Sequence, residues 1–114
     1  MLHTLIVSGH TDLHNSVANR RILDTLEREL PGAEVLRLDA LYTNKPIDVP
    51  TEQDRLRRAD VIVFQFPLFW FNIPSLLQRW MEEVWLHGFS HGTNGHALKG
   101  KKLLLSLTPG APAE

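Results

Sequence analysis

Val61-Ile62-Val63-Phe64-Gln65-Phe66-Pro67-Leu68-Phe69-Trp70-Phe71-Asn72-Ile73-Pro74 is the stretch on which the reading of this chain turns. Its first part opens on the β-branched and apolar run Val61-Ile62-Val63-Phe64 and, with Asp60 ahead of it, reads as a buried strand from Asp60 to Phe66. Its second part sets two prolines seven residues apart around three aromatics, immediately ahead of a strongly periodic segment. Pro67 and Pro74 each fix φ and remove a donor, so the backbone between them is held. Aromatics on a rigid turn at the carboxyl end of a parallel strand make a wall against which a flat ring system can stack. The same three rings would equally well pack over a core edge or a dimer seam. The residues alone leave both uses open.

Outward from that stretch, strands and helices alternate. Leu2 to Ser8 reads as a first buried strand, and Gly9 to Asn15 as the loop after it. Ser16 then caps a helix whose apolar positions Ala18, Ile22, Leu26 and Leu30 recur every four residues until Pro31-Gly32 ends it. Ala33 to Leu38 alternates as a second strand, and Asp39 to Pro50 is a long connection with two prolines. Thr51 and Asp54 have the spacing of a capping box at the head of a short helix. After the central strand, Ile73, Leu76, Leu77, Trp80, Met81, Val84 and Trp85 form one broad stripe of a helix, with Gly88 as its stop. Gly88 to Gly100 is a loop rich in glycine and histidine, and Lys101 to Leu107 is a fourth strand. The order β-α-β-α-β-α-β predicts an α/β domain with a parallel, doubly wound sheet, whose ligands gather outside the carboxyl ends of the strands. Three loops therefore matter: 9–15, 67–72 and Thr108 onward.

Composition narrows the classes. At 114 residues with 43% hydrophobic content, the chain can bury one modest core. Twelve Lys+Arg against thirteen Asp+Glu give a formal net charge of −1, which leaves no electrostatic footprint for nucleic acid or an anionic membrane surface. The absence of cysteine excludes a disulfide scaffold, cysteine-ligated zinc and a thiol nucleophile, and is compatible with a reducing cytoplasm. The longest apolar stretch, Val61 to Phe71, is too short to span a bilayer, and no basic region precedes the first apolar run as a signal peptide would require. A soluble, cytoplasmic protein with small-molecule or protein partners is expected.

No Gly-x-Gly-x-x-Gly and no Walker lysine is present. Ser16-Val17-Ala18-Asn19 nevertheless opens a helix, where free backbone N–H groups and the positive end of the dipole can hold a phosphate, with Ser16 and Asn19 adding side-chain donors. Taken alone, Ser16 is most simply an N-cap. His87 and His91 have i, i+4 spacing, but Gly88 lies between them and no nearby carboxylate completes a metal set. Ser8, His10 and Asp12 crowd on one loop without a nucleophile elbow, so a catalytic triad is a weaker reading still.

His10 followed by Ser16-Val17-Ala18-Asn19, the segment Gln65 to Pro74, the helix end Val84 to Gly88 and the strand Leu103 to Thr108 together resemble the flavodoxin-like NAD(P)H:quinone oxidoreductases. Within that family, the chain is most similar to the bacterial ancillary proteins of glutathione-gated potassium efflux. The resemblance implies a flavin, FMN in preference to FAD, that passes a hydride from NAD(P)H to a quinone in a two-electron ping-pong cycle. It places His10, Ser16, Val17, Ala18 and Asn19 around the flavin phosphate and ribityl chain. Leu68, Phe69, Trp70 and Phe71 would line the ring system. Thr108, Pro109, Gly110 and Ala111 stand where the family has a Thr-Thr-Gly-Gly loop that holds the pyrimidine end. No side chain is singled out as catalytic, since the flavin carries the hydride.

Phe69 replaces a common glutamine of the family, and Pro109 lacks an N–H that the pyrimidine loop could offer. Relatives continue through a further helix and strand, so residues 1–114 are expected to be a single flavodoxin-like domain truncated after its fourth strand, with that strand an uncovered edge. The helix from Pro74 to His87, with Trp80 and Trp85 on its stripe, shows more apolar surface than one sheet face needs. Related enzymes dimerise through this region, and a two-fold homodimer is expected. The alternative function is a non-catalytic regulatory or interaction module derived from such a reductase that binds a membrane transporter or another subunit, for example as the ancillary subunit of a potassium efflux transporter.

Overall fold

The four strands lie in the order β2-β1-β3-β4 and all run parallel. They are β1 (Thr4–Ser8), β2 (Glu34–Arg37), β3 (Val61–Leu68) and β4 (Lys102–Pro109). The helices are α1 (Val17–Glu29), α2 (Leu38–Tyr42), α3 (Val49–Arg58) and α4 (Ser75–Val84), and a 3-10 turn, Leu13–Asn15, leads into α1. The structure is a computed structural model and describes residues 2–10, 13–68, 73–84 and 100–109.

Side chains alternate across a sheet, so the register sorts the core into two layers. Leu5 faces the same way as Ile62, and Val7 as Phe64; with Leu36 and Phe66 they meet α2, α3 and α4 through Leu38, Tyr42, Leu56, Leu77 and Trp80. Ile6 and Val63 point to the other face, where Leu13 and α1's Leu23 cover them. Both central strands are thus covered on two sides, which is why their sequences are nearly continuous apolar runs. Trp80 is fully buried at 0% exposure, edge-on to Phe64 with ring centroids 5.9 Å apart. Its indole N–H donates to Glu52 Oε1 at 3.3 Å, and the Tyr42 hydroxyl donates to Oε2 of the same buried carboxylate. Glu52 therefore ties α2, α3 and α4 together.

The alternation of elements, the parallel pairing and the Ser16 cap agree with the sequence. Several local details do not. The connection from Asp39 onward begins as a helix: α2 starts at Leu38 with no intervening loop, because Leu38 and Tyr42, four apart, both reach the core. The cap of α3 is Asp48, whose carboxylate accepts from Thr51 N at 3.2 Å; Thr51 lies inside the helix, and Pro50 sits in the first turn, where it loses no hydrogen bond. β3 runs through Pro67 and Leu68, and β4 through Thr108 and Pro109, so these four residues are strand, not loop. Pro67 fits because Gln65 O, two residues earlier, accepts from Gly9 N past the end of β1. The missing N–H points to the same side, beyond β1's last residue. Trp80 is wholly engaged inside the chain and is not available to a partner; Trp85, His87, Gly88 and His91 lie outside the described residues.

β4 is the sheet's edge, and Leu103, Leu104, Leu105 and Leu107 are all exposed on it. Leu103, Leu105 and Leu107 share the face of Ile62, Phe64 and Phe66, while Leu104 lies on the α1 face. Among the described residues, no helix is long and apolar enough to cross a membrane.

Candidate functional site

At the carboxyl edge of the sheet, Ser8 of β1 lies in register with Gln65 of β3, and Gln65 with Ser106 of β4. Ser8, the last residue of β1, and Gln65, within β3, are fully buried polar residues on the face that α1 covers. Burying a polar group is costly unless it is hydrogen-bonded, and here the bonding is incomplete. Gln65 Nε2 donates to Asn19 Oδ1 at 2.8 Å, whereas Gln65 Oε1 and Ser8 Oγ have no partner among the described residues. Both oxygens are enclosed next to the Asn19 contact, an incomplete polar pairing of the kind that calls for an explanation at a buried position.

The helix start itself is built from α1. Ser16 takes extended backbone angles, φ −110° and ψ 107°, and its Oγ accepts from Asn19 N at 3.3 Å and from Asn19 Nδ2 at 2.9 Å. Both contacts use Ser16 as an acceptor, so its hydroxyl hydrogen is free to donate outward. Val17 and Ala18 head the helix, where backbone N–H groups have no intrahelical acceptor and the dipole is positive. Their side chains are exposed, so any contribution they make to an anion is through the backbone. Asp39 of α2 fixes the approach to this turn: its Oδ2 accepts from Leu13 N at 2.8 Å. Gly9 lets the loop leave β1 against α4, since a Cβ there would meet Leu77 Cδ2 at 2.8 Å.

Thr108 closes the arrangement from β4, with its Oγ1 donating to Asn19 Oδ1 at 3.2 Å. The structure therefore brings Ser16, Asn19 and Thr108 together, with half-buried His10 on the same edge. The Asn19 side chain is 4% exposed and bonded to Ser16, Gln65 and Thr108, so it joins α1 to β3 and β4 from within. Leu68 packs against the core on the α4 side. Pro109 pairs with Leu68 at the end of β4; Phe69, Trp70, Phe71, Gly110 and Ala111 lie outside the described residues. The sequence alone does not assign Gln65, Ser8 or Asp39 to this edge: it offers Ser8 only as a triad member and Gln65 only as the start of the aromatic segment. For Gln65, a lone amide in an apolar strand run was the available signal. Among the described residues, no three His, Asp or Glu come together as a metal set.

A parallel α/β sheet flanked by helices on both faces, with a helix start at its carboxyl edge, is the architecture of the doubly wound class. The chain belongs to the flavodoxin-like fold family, whose profile matches residues 2–114. It is 43% identical over 106 residues to the glutathione-regulated potassium-efflux system ancillary protein KefF of Enterobacter sp. (strain 638), covering 93% of this chain and 60% of that protein. Among solved structures, general stress protein 14 of Treponema denticola in complex with FMN is 38% identical with a TM-score of 0.88, covering 97% of this chain and 64% of that one. The NADPH-quinone reductase of P. pentosaceus is 28% identical with a TM-score of 0.77, covering 95% of this chain and 60% of that one. The chain thus spans about three fifths of the length of these relatives.

Proposed function

We propose that this chain binds FMN at the carboxyl edge of its sheet and serves an NAD(P)H-dependent reduction of quinones. The observation that carries the reading is the junction of α1 with β1 and β3: a helix start whose Ser16 hydroxyl is free to donate, above the orphaned Ser8 Oγ and Gln65 Oε1. Ser16 and the first-turn amides would hold the phosphate, and His10 would flank it. Thr108 to Ala111 and Leu68 to Phe71 would bound the ring system. A bound flavin supplies two-electron hydride chemistry; the protein's part is to bind, orient and keep water from the reacting face. The FMN complex of the Treponema protein and the quinone reductase from P. pentosaceus support this reading. We take FAD as the alternative flavin, a ping-pong cycle as the kinetic form, a homodimer as the assembly and the cytoplasm as the location.

The KefF relative favours a second reading, in which the chain is an ancillary module of a potassium efflux transporter and its flavin site serves regulation in place of turnover. A visible spectrum after reconstitution with FMN tests the site, and steady-state NAD(P)H oxidation with a soluble quinone tests the reaction. Flavin absorbance that stays with the protein through gel filtration, together with turnover, is the expected result. Bound flavin without turnover favours an ancillary module that keeps its site, and a protein that binds neither flavin overturns the reductase reading and leaves a pure interaction module.

A further inference from the structure

Four side chains at the sheet edge form a hydrogen-bond relay with one direction. Thr108 Oγ1 donates to Asn19 Oδ1 at 3.2 Å, and Gln65 Nε2 donates to the same oxygen at 2.8 Å. Asn19 Nδ2 then donates to Ser16 Oγ at 2.9 Å, and the Ser16 hydroxyl has its hydrogen left for an acceptor outside. Every donor along the path from β4 to the head of α1 points toward the helix start. The path crosses the buried carboxamide of Asn19, whose resonance passes polarisation from its oxygen to its N–H, while Ser16 and Thr108 at its ends are half-buried. In such chains each bond strengthens the next, and the low local dielectric enlarges the effect.

We propose that Asn19 is a positioning residue that couples the two ends of the ligand site: an anion accepted by Ser16 tightens the hold of Asn19 on Thr108 and so orders the end of β4 for the ring end of the ligand. This rests on the flavin reading above and adds to it an energetic link between sub-sites. When Ser16 donates to an anion, its oxygen becomes a better acceptor for Asn19 Nδ2. The polarised carboxamide in turn becomes a better acceptor for Thr108 and Gln65. Thr108 lies near the end of the edge strand, paired in register with Pro67 and half-buried, and its side-chain hydrogen bond is the one to Asn19, so strengthening that bond orders its hydroxyl. The coupling is reciprocal: a group bound at Thr108 raises affinity at Ser16 by the same factor.

The flavin offers its two halves as separate probes, riboflavin for the ring and inorganic phosphate for the anion. Riboflavin affinity is measured by fluorescence quenching with and without saturating phosphate, at matched ionic strength in chloride. Phosphate should tighten riboflavin about fivefold or more, the lower end of what coupled sites show. Thr108→Val keeps the shape and deletes the donor, and should abolish the effect; Thr108→Ser restores the hydroxyl and should retain it. Gln65→Leu, which removes the parallel donor, should reduce the effect. Circular dichroism on each variant separates loss of coupling from loss of fold, and the Thr108 pair keeps the test decisive if Gln65→Leu does not fold. FMN binding with no effect of phosphate on riboflavin would overturn the coupling and leave the flavin reading intact. Equal coupling in Thr108→Val would overturn the relay, and no binding of FMN would overturn the flavin reading and the coupling with it.

Discussion

Gly9 sits where the first strand gives way to the loop of the candidate site, and its hydrogen atom is what allows the loop to lie against α4. A Cβ at this position would stand 2.8 Å from Leu77 Cδ2 and 3.1 Å from Leu77 Cβ, and Leu77 is itself buried in the core. Gly9→Ala should therefore destabilise the protein by about 1–3 kcal/mol, the usual range for overpacking, and displace the approach to Ser16. Urea unfolding measures the first effect and FMN affinity the second. A variant as stable as the parent would mean that Leu77 has room to turn aside. Asn19 shows why sequence gave only part of the site at this scale. Its place in the first turn of α1 was legible, but its choice of partners was not, because Gln65 and Thr108 lie 46 and 89 residues away and meet it only once the sheet is assembled. Gln65 stood out as polar among apolar neighbours, yet a single strand cannot show which element will cover it.

Among the elements, the ones readable from the chain were those whose pattern repeats. β1 and β3 are continuous apolar runs because helices cover both faces, and α1 shows its period together with a Ser cap. α2 spans only Leu38–Tyr42, too few residues to display a period, and α3 is capped by Asp48 although Thr51 and Asp54 offered a competing box. The helices of the α4 layer are joined by a polar device as well as by apolar contact. Glu52 accepts from Tyr42 and from Trp80, and its Oε2 lies 3.4 Å from Arg55 Nε. Burial, and after it the hydrogen bond and charge of Glu52, push the Tyr42 hydroxyl well above its ordinary value. In the unfolded chain this hydroxyl ionises near pH 10. The folded state thus binds the extra proton above that pH, and the stability it confers below pH 10 is lost as pH rises further. Tyr42→Phe should lower stability at pH 8, because Glu52 loses a donor, and should flatten the decline between about pH 10 and 11.5. Parallel slopes for parent and variant in denaturant melts across that range would show that Tyr42 ionises freely in the folded protein.

For the molecule as a whole, the sheet is unequal from one side to the other. β1 and β3 are sealed between helices, whereas β4 carries four exposed leucines, of which Leu105 is 62% exposed, and an edge with no further strand among the described residues. The apolar character of Leu103 to Leu107 was enough to predict a strand, and this same character hid the asymmetry, because a run of leucines looks identical whether or not something covers it. The difference is energetic and can be measured. Removing a buried aliphatic side chain loses its transfer free energy and leaves a cavity, about 2–5 kcal/mol for Ile62→Ala next to β4 in the sheet. Leu105→Ala should cost under about 1 kcal/mol, since little is buried there to lose, and it should also reduce binding of an apolar dye and any self-association seen by sedimentation velocity. If Leu105→Ala instead costs as much as Ile62→Ala, and the cost rises with protein concentration, then a second copy of the chain covers β4 in solution. That result would move the homodimer from the α4 side of the molecule to the sheet edge, directly beside Thr108 and the candidate site.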